Sequence, residues 1–176
     1  MSRSDHDVVE LRQEKDQYFK TDLDSPIPPE QRSTFKGLNY YPPEKGYRVS
    51  GRLERLDKPE PVLIATSTGT RRSYLKYATM KFEVQGNRLQ LIVYKSGEDP
   101  FARSLFIPFS DETSSSETYG AGRYLDLEER RGDDYDLDFN FAYNPYCAYS
   151  DRNTCPIPPR ENRLPIRIAA GEKKYK

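Results

Sequence analysis

The chain has 176 residues, 35% of them hydrophobic, and its 28 basic and 28 acidic side chains give a formal net charge of zero. This balance removes the bulk attraction that nucleic acid or an anionic membrane would need, so we expect neither as a partner. Because 14 tyrosines and 8 phenylalanines supply large buriable area, disorder of the whole chain is excluded and a single domain is expected.

The N-terminal segment predicts a helix. Ser4 fits an N-cap, and apolar side chains follow at helical spacing from Val8 to about Phe19. We expect this helix to lie across the main body. Residues 1–36 then form an N-terminal helical brace and residues 37–176 a β domain, as one structural unit.

Beyond residue 46 the hydrophobic period changes to two, which is typical of half-buried strands. Strands are predicted at 47–53, 61–66, 78–84, 89–93, 105–109, 123–127, 137–143 and 164–168. The run Gln85-Gly86-Asn87-Arg88 predicts a tight hairpin. Strands joined by short turns, with helix only at the start, predict a mainly β fold. Its architecture would be an antiparallel sandwich or a partly closed barrel with an N-terminal helix.

No targeting or membrane segment is recognised. The first ten residues lack the apolar core of a secretory signal, and apolar runs such as 62–65 are too short to cross a bilayer. We therefore expect the cytoplasm as the compartment. There Cys147 and Cys155 stay reduced unless they do redox work.

The histidine count limits the chemistry. His6 is the sole histidine, which argues against Ser-His-Asp or Cys-His catalysis and against a His-rich metal site. No metal is expected, and no particular cofactor is indicated, because the sequence lacks a Walker A motif and a complete dinucleotide-binding glycine pattern.

The first candidate cluster combines a phenol, two glycines and a guanidinium: Tyr119, Gly120, Gly122 and Arg123. Glycines let the backbone approach a ligand, and an arginine fork matches a carboxylate or phosphate at two points. The cluster is consistent with an anion-binding loop. It is equally consistent with a glycine-rich strand entry in which Arg123 pairs with Asp111 or Asp138.

The next candidates follow on the predicted strand 137–143 and after it. Asp138, Asn140 and Asn144 either line a pocket or form the solvated side of the strand. Cys147 and Cys155, with Tyr149 between them, are either buried structural cysteines or a reactive thiol pair without a histidine.

The last candidates are Glu161 and Asn162. Glu161 either pairs with Arg123 or acts as a base, and Asn162 either caps backbone groups or contacts a ligand. The lysines after Gly171 are interpreted as a basic tail.

Several strings of the chain are similar to one known family. They are Leu-Phe-Ile-Pro-Phe at 105–109, Glu-Thr-Tyr-Gly-Ala-Gly-Arg-Tyr-Leu at 117–125, Asp-Phe-Asn-Phe-Ala-Tyr-Asn-Pro-Tyr-Cys-Ala-Tyr at 138–149, Cys-Pro-Ile-Pro-Pro at 155–159, Glu-Asn-Arg-Leu at 161–164 and Ala-Gly-Glu-Lys at 170–173. Together they resemble a bacterial and archaeal family catalogued as domain of unknown function 1684. The resemblance implies no activity, but it places most of the candidate residues in family-typical strings.

These observations favour a pocket for a small polar or anionic molecule, built from residues 117–162. Arg123 would bind the anion, and Tyr119, Asn140 and Asn144 would donate directional hydrogen bonds. Two alternatives stay open: a hydrolase or isomerase that uses Asp138 or Glu161, and a structural or interaction domain with a buried polar network. The ligand, the occurrence of any reaction and the oligomeric state are left open.

Overall fold

A computed structural model describes residues 5–176. Two α-helices, α1 (Asp5–Thr21) and α2 (Pro29–Arg32), come first. Six strands follow: β1 (Arg48–Ala65), β2 (Arg71–Val84), β3 (Asn87–Ser96), β4 (Ser104–Phe109), β5 (Arg123–Glu128) and β6 (Asp134–Asp138). All neighbours are antiparallel in the order β5-β4-β3-β2-β1-β6, and the sheet curls into a half-barrel. The predicted mainly β, partly closed architecture is confirmed.

Four 3-10 turns complete the described chain, and three of them lie in its C-terminal third. Their bounds are Lys45–Tyr47, Phe139–Phe141, Tyr146–Ala148 and Arg160–Asn162. The predicted N-cap, Ser4, lies outside the described residues. Within residues 5–176, no helix has both the length and the apolar character needed to cross a bilayer.

Strand β1 differs from the prediction of two separate strands at 47–53 and 61–66. It runs unbroken from Arg48 to Ala65, with a register shift against β2 between Arg55 and Glu60. The intervening polar residues are mostly exposed, so the alternation of apolar side chains is interrupted although the backbone pairing resumes.

The predicted hairpin is confirmed between β2 and β3. Val84 pairs with Asn87, and the two residues between them, Gln85 and Gly86, both have positive φ, 51° and 76°. Two successive positive φ values are the requirement of a type I′ turn, whose twist matches that of the flanking strands.

Two predicted C-terminal strands are corrected. The strand at 137–143 ends at Asp138, whose carboxylate accepts from the Asn140 backbone N–H and starts a 3-10 turn. The segment 164–168 is not a strand. Leu164 and Ile168 are buried at alternate spacing, but the Ile168 N–H donates to the Asp111 carboxylate instead of to a neighbouring strand.

The core fills the inside of the curled sheet. Apolar side chains of all six strands, of the 3-10 turn at Phe139 and of residues 164–170 meet there. Helix α1 lies beside this core. The ring of its Phe19 packs edge-on against Tyr149 at a centroid distance of 5.1 Å, in a separate apolar cluster. Arg12 of the same helix donates to the carbonyl oxygens of Tyr41 and Asn140. These contacts position the segments that carry the candidate site.

Candidate functional site

Arg123 lies at the start of β5 and is buried. Its guanidinium donates to the carbonyl oxygens of Ile168 at 2.9 Å, of Glu172 at 3.2 Å and of Ala170. The Asp111 carboxylate is 3.6 Å away, and burial lowers the pKa of the guanidinium. Because these contacts engage its donors within the protein and the residue is 1% exposed, Arg123 binds the C-terminal segment and does not present its charge to solvent.

Asp138 and Asn140 form a second network at the end of β6. One oxygen of Asp138 accepts from the Arg48 Nε at 3.0 Å, and the other accepts from the Asn140 amide at 2.7 Å. The Asn140 side chain is buried and bonds both backbone groups of Glu44 at 3.0 Å. This pair fixes the loop before β1, at one end of a cleft of about 440 Å³ between the edge strands β5 and β6.

Glu161 and Asn162 are adjacent but point to different surroundings. Glu161 is half exposed and accepts from Lys76 at 3.2 Å and from the Tyr94 hydroxyl at 2.9 Å. Asn162 is fully buried: its oxygen accepts from the Ile92 N–H at 2.7 Å, and its amide donates to the carbonyl oxygens of Ile92 and Pro108 at 2.9 and 2.7 Å. Asn162 therefore joins β3 to β4, whose own ladder has one residue pair in the described chain.

A buried carboxylate to which the sequence analysis assigned no role lies among these groups. Glu172 is 1% exposed and accepts from Lys15, from the Tyr149 hydroxyl and from the Asn144 N–H. The Asn144 amide also donates to the Lys173 carbonyl at 2.9 Å. This glutamate lies in the family-typical string at 170–173, which could have identified it as a candidate. The lysines that follow it favoured the interpretation as a basic tail instead.

The segment after Gly171 is not a loose basic tail. The Lys173 N–H donates to the Asn39 carbonyl at 2.8 Å, and the Lys174 N–H to the Glu117 carbonyl at 3.0 Å. The Tyr175 ring lies between Phe35 and Tyr149, at centroid distances of 6.3 and 5.3 Å. These bonds correct the interpretation of the lysines as a solubilising tail.

Tyr119, Cys147, Cys155 and Ser67 form what we call the thiol site. The Tyr119 hydroxyl donates to the Cys147 sulfur at 3.6 Å, the Cys147 N–H donates to the Cys155 sulfur at 3.3 Å, and the Cys155 N–H donates to the Ser67 hydroxyl oxygen at 3.1 Å. Cys147 is partly exposed and Cys155 is buried.

The two thiols of this site differ in acidity. Neighbouring groups, the Cys155 thiol first and then the Tyr119 and Ser67 hydroxyls, lower the pKa of Cys147 to about 6, although burial by itself raises it. The contact with Cys147 and burial raise the pKa of Cys155. Of the two sulfurs, Cys147 is therefore the one that loses its proton more readily.

A shallow cleft of about 330 Å³ opens beside the thiol site. We call it the basic cleft. It is lined by Ser115, Tyr119, Gly120, Ala148, Lys174, Tyr175 and Lys176. None of these described side chains is acidic, and Lys174 is held there because its ammonium donates to the Ser115 carbonyl.

The two glycines of the first cluster have different surroundings. Gly122 has a φ of +107°, and a Cβ there would lie 2.4 Å from the Phe109 carbonyl oxygen and 2.8 Å from Pro158. Gly122 is required by this close approach of the backbone. Gly120 is exposed at the rim of the basic cleft, where a Cβ would meet the Ser115 hydroxyl at 2.9 Å.

The predicted site residues thus fall into separate groups. Tyr119, Gly120 and Cys147 come together at the basic cleft and the thiol site. Arg123, Asn140 and Asn162 are buried elsewhere and bound to backbone groups. Glu161 lies apart from all of them: its partners are Lys76 and Tyr94, whereas those of Asp138 are Arg48 and Asn140.

Potential metal ligands cluster at one place in residues 5–176. In the described part of the chain, one grouping of three such side chains occurs, His6, Asp7 and Glu10 at the start of α1. Its histidine is 86% exposed, and no buried donor joins the group. It offers none of the closed geometry of a structural metal site.

Comparison with known proteins agrees with these observations. No protein with a curated description matches the chain. An uncharacterised protein of Haloarcula marismortui, solved by solution NMR, is similar to it: the sequences are 41% identical, the match covers 96% of this chain and 92% of the other, and the TM-score is 0.74. The family model described as protein of unknown function (DUF1684) matches residues 33–173. The chain therefore belongs to the DUF1684 family.

Proposed function

We propose that the protein binds a small anionic molecule in the basic cleft. The observation that carries this proposal is a concave surface of about 330 Å³ that contains two lysines and the Tyr119 phenol, and no acidic side chain among its described lining residues. A cleft lined by one sign of charge concentrates counter-ions of the other sign.

The position of Lys174 supports the proposal. Its backbone N–H is bonded to Glu117, and its ammonium is bonded to the Ser115 carbonyl, which carries no formal charge. Among the described residues no carboxylate forms an ion pair with Lys174, so its charge is held at the cleft without an acidic partner. A bound anion would supply that partner and accept a charge-assisted hydrogen bond.

The polar surroundings support a small ligand. The cleft lies near the lower end of the volume range of small-molecule sites, about 300–1,000 Å³. The exposed backbone at Gly120 allows close approach of such a ligand. We propose the cytoplasm as the compartment, where the adjacent free thiols stay reduced.

Titration with inorganic phosphate and with citrate at constant ionic strength tests the proposal. We expect a saturable rise in Tm and NMR shifts confined to residues 115–120 and 174–176. Lys174→Gln should abolish both effects. Lys58→Gln, which removes an exposed lysine of β1, is the matched control and should preserve them. Equal responses in both variants, or no saturation with either anion, would refute binding at this cleft.

A further inference from the structure

We propose that Cys147 and Cys155 form a redox-active pair in which Cys147 attacks a hydroperoxide and Cys155 converts the product into a disulfide. The proposal rests on the arrangement of the thiol site. It does not depend on anion binding in the basic cleft, since no lysine of the cleft contacts either sulfur in the described structure.

The first argument is the donor at the Cys147 sulfur. The Tyr119 hydroxyl donates to it at 3.6 Å, and the Cys155 sulfur lies 3.3 Å from the Cys147 backbone nitrogen. A hydroxyl donor directed at a sulfur stabilises the thiolate, which is the nucleophilic form. A buried structural cysteine would have no need of this arrangement.

The second argument is the difference in access. Cys147 is partly exposed on the 3-10 turn Tyr146–Ala148, whereas Cys155 is 8% exposed. A peroxide in solvent can therefore reach the sulfur of Cys147 before that of Cys155. Attack at the exposed thiolate followed by resolution from the buried thiol is the order that this geometry allows.

The third argument is proximity. The Cys155 sulfur already lies 3.3 Å from the backbone nitrogen of Cys147. Eight positions separate the cysteines, and the turn at 150–154 connects them. We therefore expect rotation of the two side chains, and not a change in the sheet, to bring the sulfurs to bonding distance.

The chemistry balances in two steps. The Cys147 thiolate attacks one oxygen of the hydroperoxide, so that an S–O bond forms, the O–O bond breaks and the alkoxide or hydroxide that leaves takes a proton from water. The Cys155 sulfur then attacks the sulfenic sulfur of Cys147. An S–S bond forms, the S–O bond breaks, and the hydroxide released combines with the Cys155 proton to give water. The two thiols lose two electrons, and the peroxide gains them.

Hydrogen peroxide is the probe that tests this proposal on the full chain, reduced beforehand with dithiothreitol. We expect a mass loss of two hydrogens and a peptide that links Cys147 to Cys155 under non-reducing conditions. In Cys155→Ser the reaction should stop at a sulfenic acid on Cys147, trapped by dimedone. Cys147→Ser should react at least about tenfold more slowly, because the remaining thiol is buried and protonated.

Circular dichroism shows whether each variant is folded. A variant that fails to fold is replaced by Cys155→Ala or Cys147→Ala. Lys58→Gln, which removes an exposed lysine of β1, is the control and should form the disulfide at the unaltered rate. The proposal is overturned if the folded wild type yields no linked peptide, or if Cys155 is oxidised equally fast in Cys147→Ser.

Discussion

Arg123 and Asp111 form an ion pair at 3.6 Å in which both side chains are closed off from solvent, at 1% and 0% exposed. Asp111 also accepts from the Ile168 N–H at 2.6 Å, and Arg123 donates to the Ile168 carbonyl at 2.9 Å. One residue of the C-terminal segment is thus held by both members of the pair. The pair fixes this segment against the open edge of the sheet.

Arg123→Ala should lower the free energy of unfolding by about 3–5 kcal/mol, because it leaves a buried carboxylate without its partner and three carbonyls without a donor. Urea denaturation followed by circular dichroism measures this. Arg88→Ala is the control, since Arg88 is 92% exposed and forms an ion pair with Glu83 at 3.7 Å. The control should change stability by less than about 0.5 kcal/mol. Equal effects of the two substitutions would contradict the structural role.

Asn162→Ala should destabilise the junction of β3 and β4 by about 2–4 kcal/mol, because three buried backbone groups of Ile92 and Pro108 lose their partner. Hydrogen exchange should show faster exchange at the Ile92 amide in particular. Gln90→Ala changes an exposed residue of the same strand and should leave that amide protected. Unchanged protection in Asn162→Ala would show that the side chain does not hold the two strands together.

Gly122→Ala and Gly132→Ala separate steric clash from backbone strain. Both glycines have positive φ, 107° and 86°, but a Cβ at Gly132 meets no atom within 4 Å. Gly132→Ala should cost about 1 kcal/mol, the strain alone. Gly122→Ala should cost about 3 kcal/mol or more, because the methyl group also overlaps the Phe109 carbonyl. Thermal unfolding that ranks the two variants in the opposite order would exclude the clash.

Alkylation of Cys147 by iodoacetamide should follow a pKa of about 6. Below this pH the sulfur is protonated and unreactive, and above it the rate should reach a plateau. A low-pKa thiolate is intrinsically less nucleophilic. Near pH 6.5 the rate should therefore exceed that of a free cysteine about fivefold, and near pH 9 it should be about tenfold lower.

Tyr119→Phe tests, in the same alkylation experiment, the hydrogen bond that the Tyr119 hydroxyl donates to the Cys147 sulfur. Loss of the hydroxyl removes one hydrogen bond to the thiolate, so the midpoint of the alkylation profile should rise. Tyr146→Phe, on the same 3-10 turn as Cys147, is the matched control and should leave the midpoint in place. A profile centred near pH 8.5 in the wild type would show that Cys147 is an ordinary thiol.

The local alternation of apolar side chains was sufficient to predict most strands of the sheet. Alternation of apolar side chains located β2, β3, β4 and β5, although β2 begins at Arg71 and not at 78, and residues 91–95 of β3 are buried on both faces. It failed at Phe139 and Ile168. Both are buried as the pattern requires, but the Phe139 carbonyl accepts within a 3-10 turn and the Ile168 N–H donates to the Asp111 carboxylate. Hydrophobic periodicity predicts which side chains are buried. It does not predict which groups the backbone N–H and carbonyl groups bond.

The same distinction applies to the candidate site. The resemblance and the residue types singled out Arg123, Asn140, Asn144 and Asn162 as candidate ligand-binding residues, and all four are buried. Their partners are backbone groups distant in sequence, such as Ile92 for Asn162. A side-chain amide suited to a ligand is equally suited to a peptide group, so residue type alone does not decide between them.

By itself, the sequence determined the mainly β class, the N-terminal helix, the hairpin at Gln85 and Gly86 and the family, because each depends on local spacing or on contiguous strings. Only the tertiary structure decided which polar groups meet. It brought Tyr119 to Cys147 over 28 positions and Lys15 to Glu172 over 157. Such contacts arise from the curl of the sheet and the path of the C-terminal segment, and no local pattern encodes a distance between segments so far apart in the chain.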